Sequence, residues 1–182
     1  MKTVIFLADG FEEMEATCAI DILRRAGVDV VTASITERKE VVAAHNVTFV
    51  SDKMFDEIDF SDVEMLVLPG GMPGAANLSK HEGLCSLLLD FNDSNMPIAA
   101  ICAAPSVVLG GLRLLKGKEA ICYPGFEAGM RAQKISEKTV VTDGNITTAK
   151  GPGVAMQFAL ELVRILKNEQ TAEKIKKDLC LL

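Results

Sequence analysis

"PIAAICAAPSVVLG", residues 97–110, is an apolar run that reaches a single sulfur and then changes character. Residues 97–101 are uniformly apolar, as in a strand buried on both faces, and the residues after the sulfur read as a helix. Pro105 fits the first helical turn, where an N–H has no intrahelical partner to lose. Cys102 therefore stands on a strand-to-helix elbow. A helix N-terminus carries about half a positive charge, which favours thiolate over thiol. Ala103 and Ala104 leave room above the sulfur. The arrangement resembles the nucleophile elbow of hydrolases, although G-x-S-x-G itself is absent. The competing reading is a small buried residue, the fate of most free cysteines.

Outward from the elbow the chain alternates strand and helix. "TVIFLA" (3–8), "VDVVTASI" (28–35) and "EMLVLP" (64–69) read as strands. Helices are expected from about Glu12 to Ala26, from the glycine-rich "GGMPGAANLS" to about Asn92, over "AAPSVVLGGLRLL" and over "VAMQFALELVRILK". Residues 41–52 suggest a hairpin turning near His45–Asn46, "EAICYPG" a strand and turn, and 139–142 with 145–149 two further strands. A short basic helix closes the chain. No repeat or interdomain linker interrupts this order, so residues 1–182 are expected to form one domain. Apolar strands separated by helices predict a three-layer α/β/α sandwich around a mostly parallel sheet. Ligands then bind beyond the carboxyl ends of the strands.

Composition removes several classes of function. With 49% hydrophobic and 24% charged residues, the chain can bury a full core. A net charge of −6 offers no footprint for nucleic acid or an anionic membrane. No apolar stretch is long enough to span a bilayer. Acids arrive within "TVIFLADGFEE" before any signal-peptide core can form, so a cytoplasmic protein is expected. Five cysteines without a C-x-x-C pair argue against a disulfide framework or a structural zinc site. With His45 and His81 the only histidines, a transition-metal site is not expected either. The chemistry must come from thiol, carboxylate and backbone, without a cofactor.

Two further strand ends matter. "PGGMPG" (69–74) matches no nucleotide-binding motif. It can present the N–H of Gly71 to the pocket, forming an oxyanion hole with the N–H of Ala103; otherwise it is a plain turn. "DGFEEMEA" (9–16) puts Asp9, Glu12, Glu13 and Glu15 where a dinucleotide fold places glycines, and that charge repels a pyrophosphate. Glu15, one turn into its helix, can face the sheet's carboxyl edge. Enclosed beside a sulfur, its carboxyl would be harder to ionise and able to move protons. The plainer reading is that these acids complement the helix dipole. His81 reads as solvated, and His45 is ambiguous.

Taken together, "LADGFEEMEA", "LVLPGGMPGAANL", "AAICAAPSVV", "CYPG" and "KGPGVAMQFALELV" resemble the ThiJ/PfpI superfamily, in its branch of parkinsonism-associated deglycases. The resemblance runs in order along nearly the whole chain. It implies a flavodoxin-like sandwich, usually a homodimer, with the reactive cysteine at Cys102. It also implies a glutamate at Glu15 hydrogen-bonded to the sulfur, and oxyanion donors at Gly71 and Ala103. Gly70, Tyr123, Pro152 and His45 fall on candidate positions around the substrate pocket. The activities associated with this branch are cofactor-independent glyoxalase, protein or nucleotide deglycase, chaperone and oxidative-stress sensor. Three positions depart from relatives. Tyr123 replaces a histidine that many of them carry, Ala103 replaces the histidine of protease-like members, and His45 replaces an arginine found in some. A Cys-His hydrolytic dyad is thus unsupported, and a peptidase is the weakest reading.

The leading expectation is an enzyme acting on α-oxoaldehydes or glycated groups. Cys102 would add to the aldehyde and Glu15 would transfer the proton. The second is a redox sensor or redox-regulated chaperone in which oxidation of Cys102 is the signal. In either case the first helix, with Ile20 and Leu23 beside Asp21, Arg24 and Arg25, is the expected dimer contact.

Overall fold

The computed structural model describes residues 1–181. The first strand, β1 (Lys2–Leu7), runs into helix α1 (Glu13–Arg25), and β2 (Asp29–Ser34) follows. A small hairpin, β3 (Glu40–Val42) and β4 (Thr48–Val50), is antiparallel and turns through Asn46 at φ 64°, as expected near His45–Asn46. Then come β5 (Lys53–Met54), β6 (Val63–Leu68), α2 (Gly74–Lys80), α3 (Glu82–Asp93) and β7 (Ile98–Ile101). Beyond the elbow lie β8 (Glu119–Ala120), α4 (Glu127–Met130), β9 (Lys134–Ile135), β10 (Val140–Asp143) and β11 (Ile146–Ala149). Helices α5 (Ala155–Leu166) and α6 (Glu169–Asp178) complete the order.

Seven strands form the main sheet in the order β10-β11-β7-β6-β1-β2-β5, parallel except for the β10–β11 pair. The reason is visible residue by residue. Ile5, Leu7, Met65, Val67 and Ile101 join one buried cluster with Phe158 and Leu162 of α5 and with Leu23 of α1. Their neighbours Val4, Phe6, Leu66, Leu68 and Ile98 join another with Leu78 of α2 and Leu84 and Leu88 of α3. Side chains alternate across a strand, so uniformly apolar strands need a helical layer on each face. The expected mostly parallel α/β architecture is what forms.

Strand order also places the functional edge. From β1 the chain passes to β2 on one side and returns to β6 on the other, so the order reverses between β1 and β6. A crevice opens at such a switch point, at the carboxyl ends. The segments after β1 and β6 flank it, and the end of β7 stands beside it.

The structure corrects three local expectations. The helix predicted to run to Asn92 breaks at His81, which is extended (φ −81°, ψ 104°) and caps α3 by accepting the N–H of Leu84 at Nδ1, 3.0 Å away. The His81 ring packs on Phe55 with centroids 4.6 Å apart, so it is a cap and not a freely solvated side chain. The helix predicted after the elbow is a π-helical segment, Pro105–Gly110, followed by turns. Gly110 packs directly on the backbone of Gly129 and Met130, an approach that any side chain would block. Finally, "EAICYPG" is strand only over Glu119–Ala120.

Candidate active site

Cys102 directly follows β7 in the left-handed region, at φ +66°, where a residue bearing a Cβ is uncommon and strained. Hydrogen bonds on both sides hold it there. Its N–H donates to the carbonyl of Ala149 (2.9 Å), and its carbonyl accepts the N–H of Tyr123 (2.8 Å). Gly70 makes the close approach possible, because a Cβ at that position would lie 2.6 Å from the Cys102 Cβ. Cys102 is 7% exposed.

Glu15 reaches the same point from α1 and is 1% exposed. Its Oε2 accepts the N–H of Gly70 at 2.7 Å. Its Oε1 is sealed from solvent and has no hydrogen-bond partner, and the carboxyl stands close enough to the Cys102 thiol that each shifts the other's ionisation. Glu12 sets the start of the helix by accepting the Glu15 N–H at 2.8 Å, while the Glu12 N–H donates to the Gly70 carbonyl at 3.0 Å. The loops after β1 and β6 are thereby fastened together. Gly71, at φ +83°, lies so close to the Glu12 backbone that a Cβ would be 2.5 Å from its nitrogen.

The electrostatics follow from burial. Desolvation, opposed by the Gly70 N–H and the thiol, raises Glu15 from its ordinary value to about 7. Desolvation, the neighbouring Glu15 charge and their contact push the Cys102 thiol up to about 12. The N–H groups of Gly71 and Ala103 pull it back down by hydrogen bonding to the sulfur. This corrects the expectation that the helix terminus alone favours a resting thiolate, because burial beside a carboxylate outweighs it. The two groups titrate as one unit. Protonating Glu15 removes the repulsion on the sulfur and turns the carboxyl into a hydrogen-bond donor, so reactivity at the thiol is tied to the proton on Glu15.

The structure thus brings Cys102, Glu15, Gly70, Gly71 and Ala103 together. Tyr123 joins them by backbone, with its side chain 45% exposed. Pro152 lines a groove of about 490 Å³ with Met14, Cys18, Met156 and Leu160, on the α1–α5 side. His45, at the hairpin tip, is held by Glu13: Oε1 accepts its N–H (3.1 Å) and Oε2 pairs with Nδ1 (3.0 Å). That pair raises His45, chiefly through the hydrogen bond that the Glu13 carboxylate accepts from the imidazole. Glu12, Glu13 and His45 offer ligand-type atoms within 4.8 Å of one another, but Glu13 is already committed to His45. Sequence reasoning missed Glu12 as the cap that orients Glu15. It also missed Gly10, where a Cβ would meet Pro73 at 2.5 Å. Glycine on both facing loops was the available signal. No helix among the described residues is long and apolar enough to cross a membrane.

A flavodoxin-like sheet with a cysteine on a strained elbow and a facing buried carboxyl defines the class of protein. The chain belongs to the DJ-1/PfpI family, whose model matches residues 1–165. Protein DJ-1 homolog B of Arabidopsis thaliana is 39% identical over 97% of this chain, which spans 40% of that relative's length. A deglycase of Thermococcus kodakarensis is 30% identical over 92% of this chain and 100% of its own. The structure of Toxoplasma gondii DJ-1, oxidized, superposes with a TM-score of 0.95 at 36% identity, covering 98% of this chain and 97% of that one.

Proposed function

We propose that this protein converts α-oxoaldehydes to 2-hydroxy acids without a cofactor, or repairs groups glycated by them. The observation that carries the reading is the buried Glu15 carboxyl, poised to ionise near neutrality, against the Cys102 thiol. With methylglyoxal, the sulfur adds to the aldehyde carbon and its oxygen becomes the hemithioacetal hydroxyl. The N–H groups of Gly71 and Ala103 stabilise the negative charge on that oxygen. Glu15 removes the proton from C1, giving an enediol, and a proton returns at C2. The result is a thioester of the 2-hydroxy acid. Water hydrolyses it, freeing lactate and the thiol, so the net change is addition of one water. The kinship with a deglycase supports the general reaction class.

The alternative is a redox sensor, favoured by the same thiol at the carboxyl edge of the sheet and by kinship with a protein whose structure is of an oxidised form. Excess methylglyoxal separates the two. Repeated turnover is expected for the enzyme, and slow stoichiometric loss of thiol would contradict it.

We further propose self-association through α1, but not by the expected face, because Leu23 is buried in the core and Ile20 packs against it. Met14 (56% exposed) and Met156 (44% exposed) flank the groove that holds Cys18. Burying them against a second copy removes apolar surface from water. Sedimentation is expected to give a dimer at micromolar concentration, and a monomer there would count against this contact.

A further inference from the structure

Glu12, Glu15 and Gly70 are tied into a closed ring by three hydrogen bonds. Glu12 Oε2 accepts the Glu15 N–H at 2.8 Å, Glu15 Oε2 accepts the Gly70 N–H at 2.7 Å, and the Gly70 carbonyl accepts the Glu12 N–H at 3.0 Å. That last bond also fixes Gly71. The Gly71 N–H belongs to the same trans peptide unit as the Gly70 carbonyl and points the opposite way, onto the Cys102 sulfur. With glycine on both sides no Cβ opposes a flip of this peptide, so the bond from Glu12 holds it. Two features of Glu12 exceed what a helix cap needs. Helix starts favour Ser, Thr, Asp and Asn, whose short side chains would cap α1 as well. Glu12 is also only 7% exposed, and no ion pair among the described residues includes it. Burying a carboxylate without a cation is costly, and an uncharged cap would avoid that cost.

We propose that Glu12 is a positioning residue whose carboxylate acts on the reaction through Glu15, holding it against Gly70 and strengthening it as a base. The inference rests on the function proposed above, in which Glu15 takes the C1 proton. A negative charge one helical turn away makes a carboxyl hold its proton more firmly. Burial is the main cause of that effect at Glu15, and the Glu12 charge adds to it. The other titratable groups facing Glu15 are the Cys102 thiol across the site and Cys18 one turn further along α1. The β6 loop presents only the Gly70 N–H, and no Lys, Arg or His acts on the carboxyl. Glu12 is therefore the one fixed charge beside the proton relay.

Three variants separate the charge from the cap. Glu12→Gln keeps an oxygen for the Glu15 N–H but loses the charge, Glu12→Ser is an uncharged cap of another size, and Glu12→Asp keeps both charge and cap. The readout is the carboxylic-acid C=O stretch of Glu15 in the infrared, identified by its loss in Glu15→Gln and followed against pH in the intact protein. In wild type the band is expected to fade with a midpoint at about pH 7. That midpoint is expected to fall by ~0.5–1 pH unit in Glu12→Gln and Glu12→Ser, the scale of one partly screened charge, and to stay with wild type in Glu12→Asp. Both uncharged variants are expected to lose ~2–5-fold in kcat for methylglyoxal at unchanged KM, because a weaker base removes the C1 proton more slowly. Wild-type midpoints in the uncharged variants overturn the proposal whatever happens to stability, since a cap alone would then account for Glu12. An equal fall in Glu12→Asp overturns it as well. If wild type does not turn methylglyoxal over, the function proposed above fails separately, and the infrared midpoints still decide whether Glu12 acts on Glu15.

Discussion

Cys102→Ser is expected to abolish release of lactate from methylglyoxal, by on the order of 10⁴-fold or more, the scale on which covalent mechanisms lose rate with their nucleophile. The change replaces one atom, and the backbone contacts to Ala149 and Tyr123 that hold the elbow do not involve the side chain. A serine hydroxyl is far harder to ionise than a thiol, and Glu15 at about 7 is much too weak a base to deprotonate it. The other cysteines cannot substitute. None of Cys18, Cys85 and Cys122 has the Glu15 carboxyl in contact and the Gly71 and Ala103 N–H groups on its sulfur, as Cys102 has. An unchanged melting temperature would place the loss in chemistry. Activity within tenfold of wild type would remove Cys102 from the reaction.

The second large effect is expected at Glu15. Glu15→Gln keeps the shape and can still face the sulfur, but it cannot accept the C1 proton. Turnover is expected to fall ~10²–10⁴-fold, the contribution of positioned acid–base groups, while a methylglyoxal adduct still forms on Cys102. Wild-type turnover would refute the proton relay. The same variant has a stability signature. Glu15 is raised from 4.5 to about 7 in the folded protein, so between those values the native state holds more protons than the unfolded chain. Stability from this group is therefore complete below about pH 4.5 and is lost as pH rises through about 7. Melting temperatures of Glu15→Gln should vary less across that window.

Much of this was legible in the sequence because the determinants are local. Uniform apolar strands such as Val4–Leu7 and Ile98–Ile101 can only be buried on both faces, and that dictates the layers. Gly70 and Gly71 mark where one loop meets another, although the sequence does not say which. The elbow was readable from Cys102 and Pro105, but its ionisation was not. A helix terminus is a feature of one segment, whereas the burial and the carboxylate that raise the thiol come from β6, α1 and the fold as a whole. His81 misled for the same reason, since its cap on Leu84 and its stacking on Phe55 need a tertiary partner. The seat of the Tyr123 ring on Gly151 joins residues 28 positions apart and has no sequence signature.

The most direct measurement is the number of lactate molecules released per protein chain when methylglyoxal is in thousandfold excess, with Cys102 followed by intact mass. The account predicts many equivalents of lactate from each chain while the unmodified thiol mass is restored once substrate is exhausted. One equivalent or less, with Cys102 left modified, would contradict it.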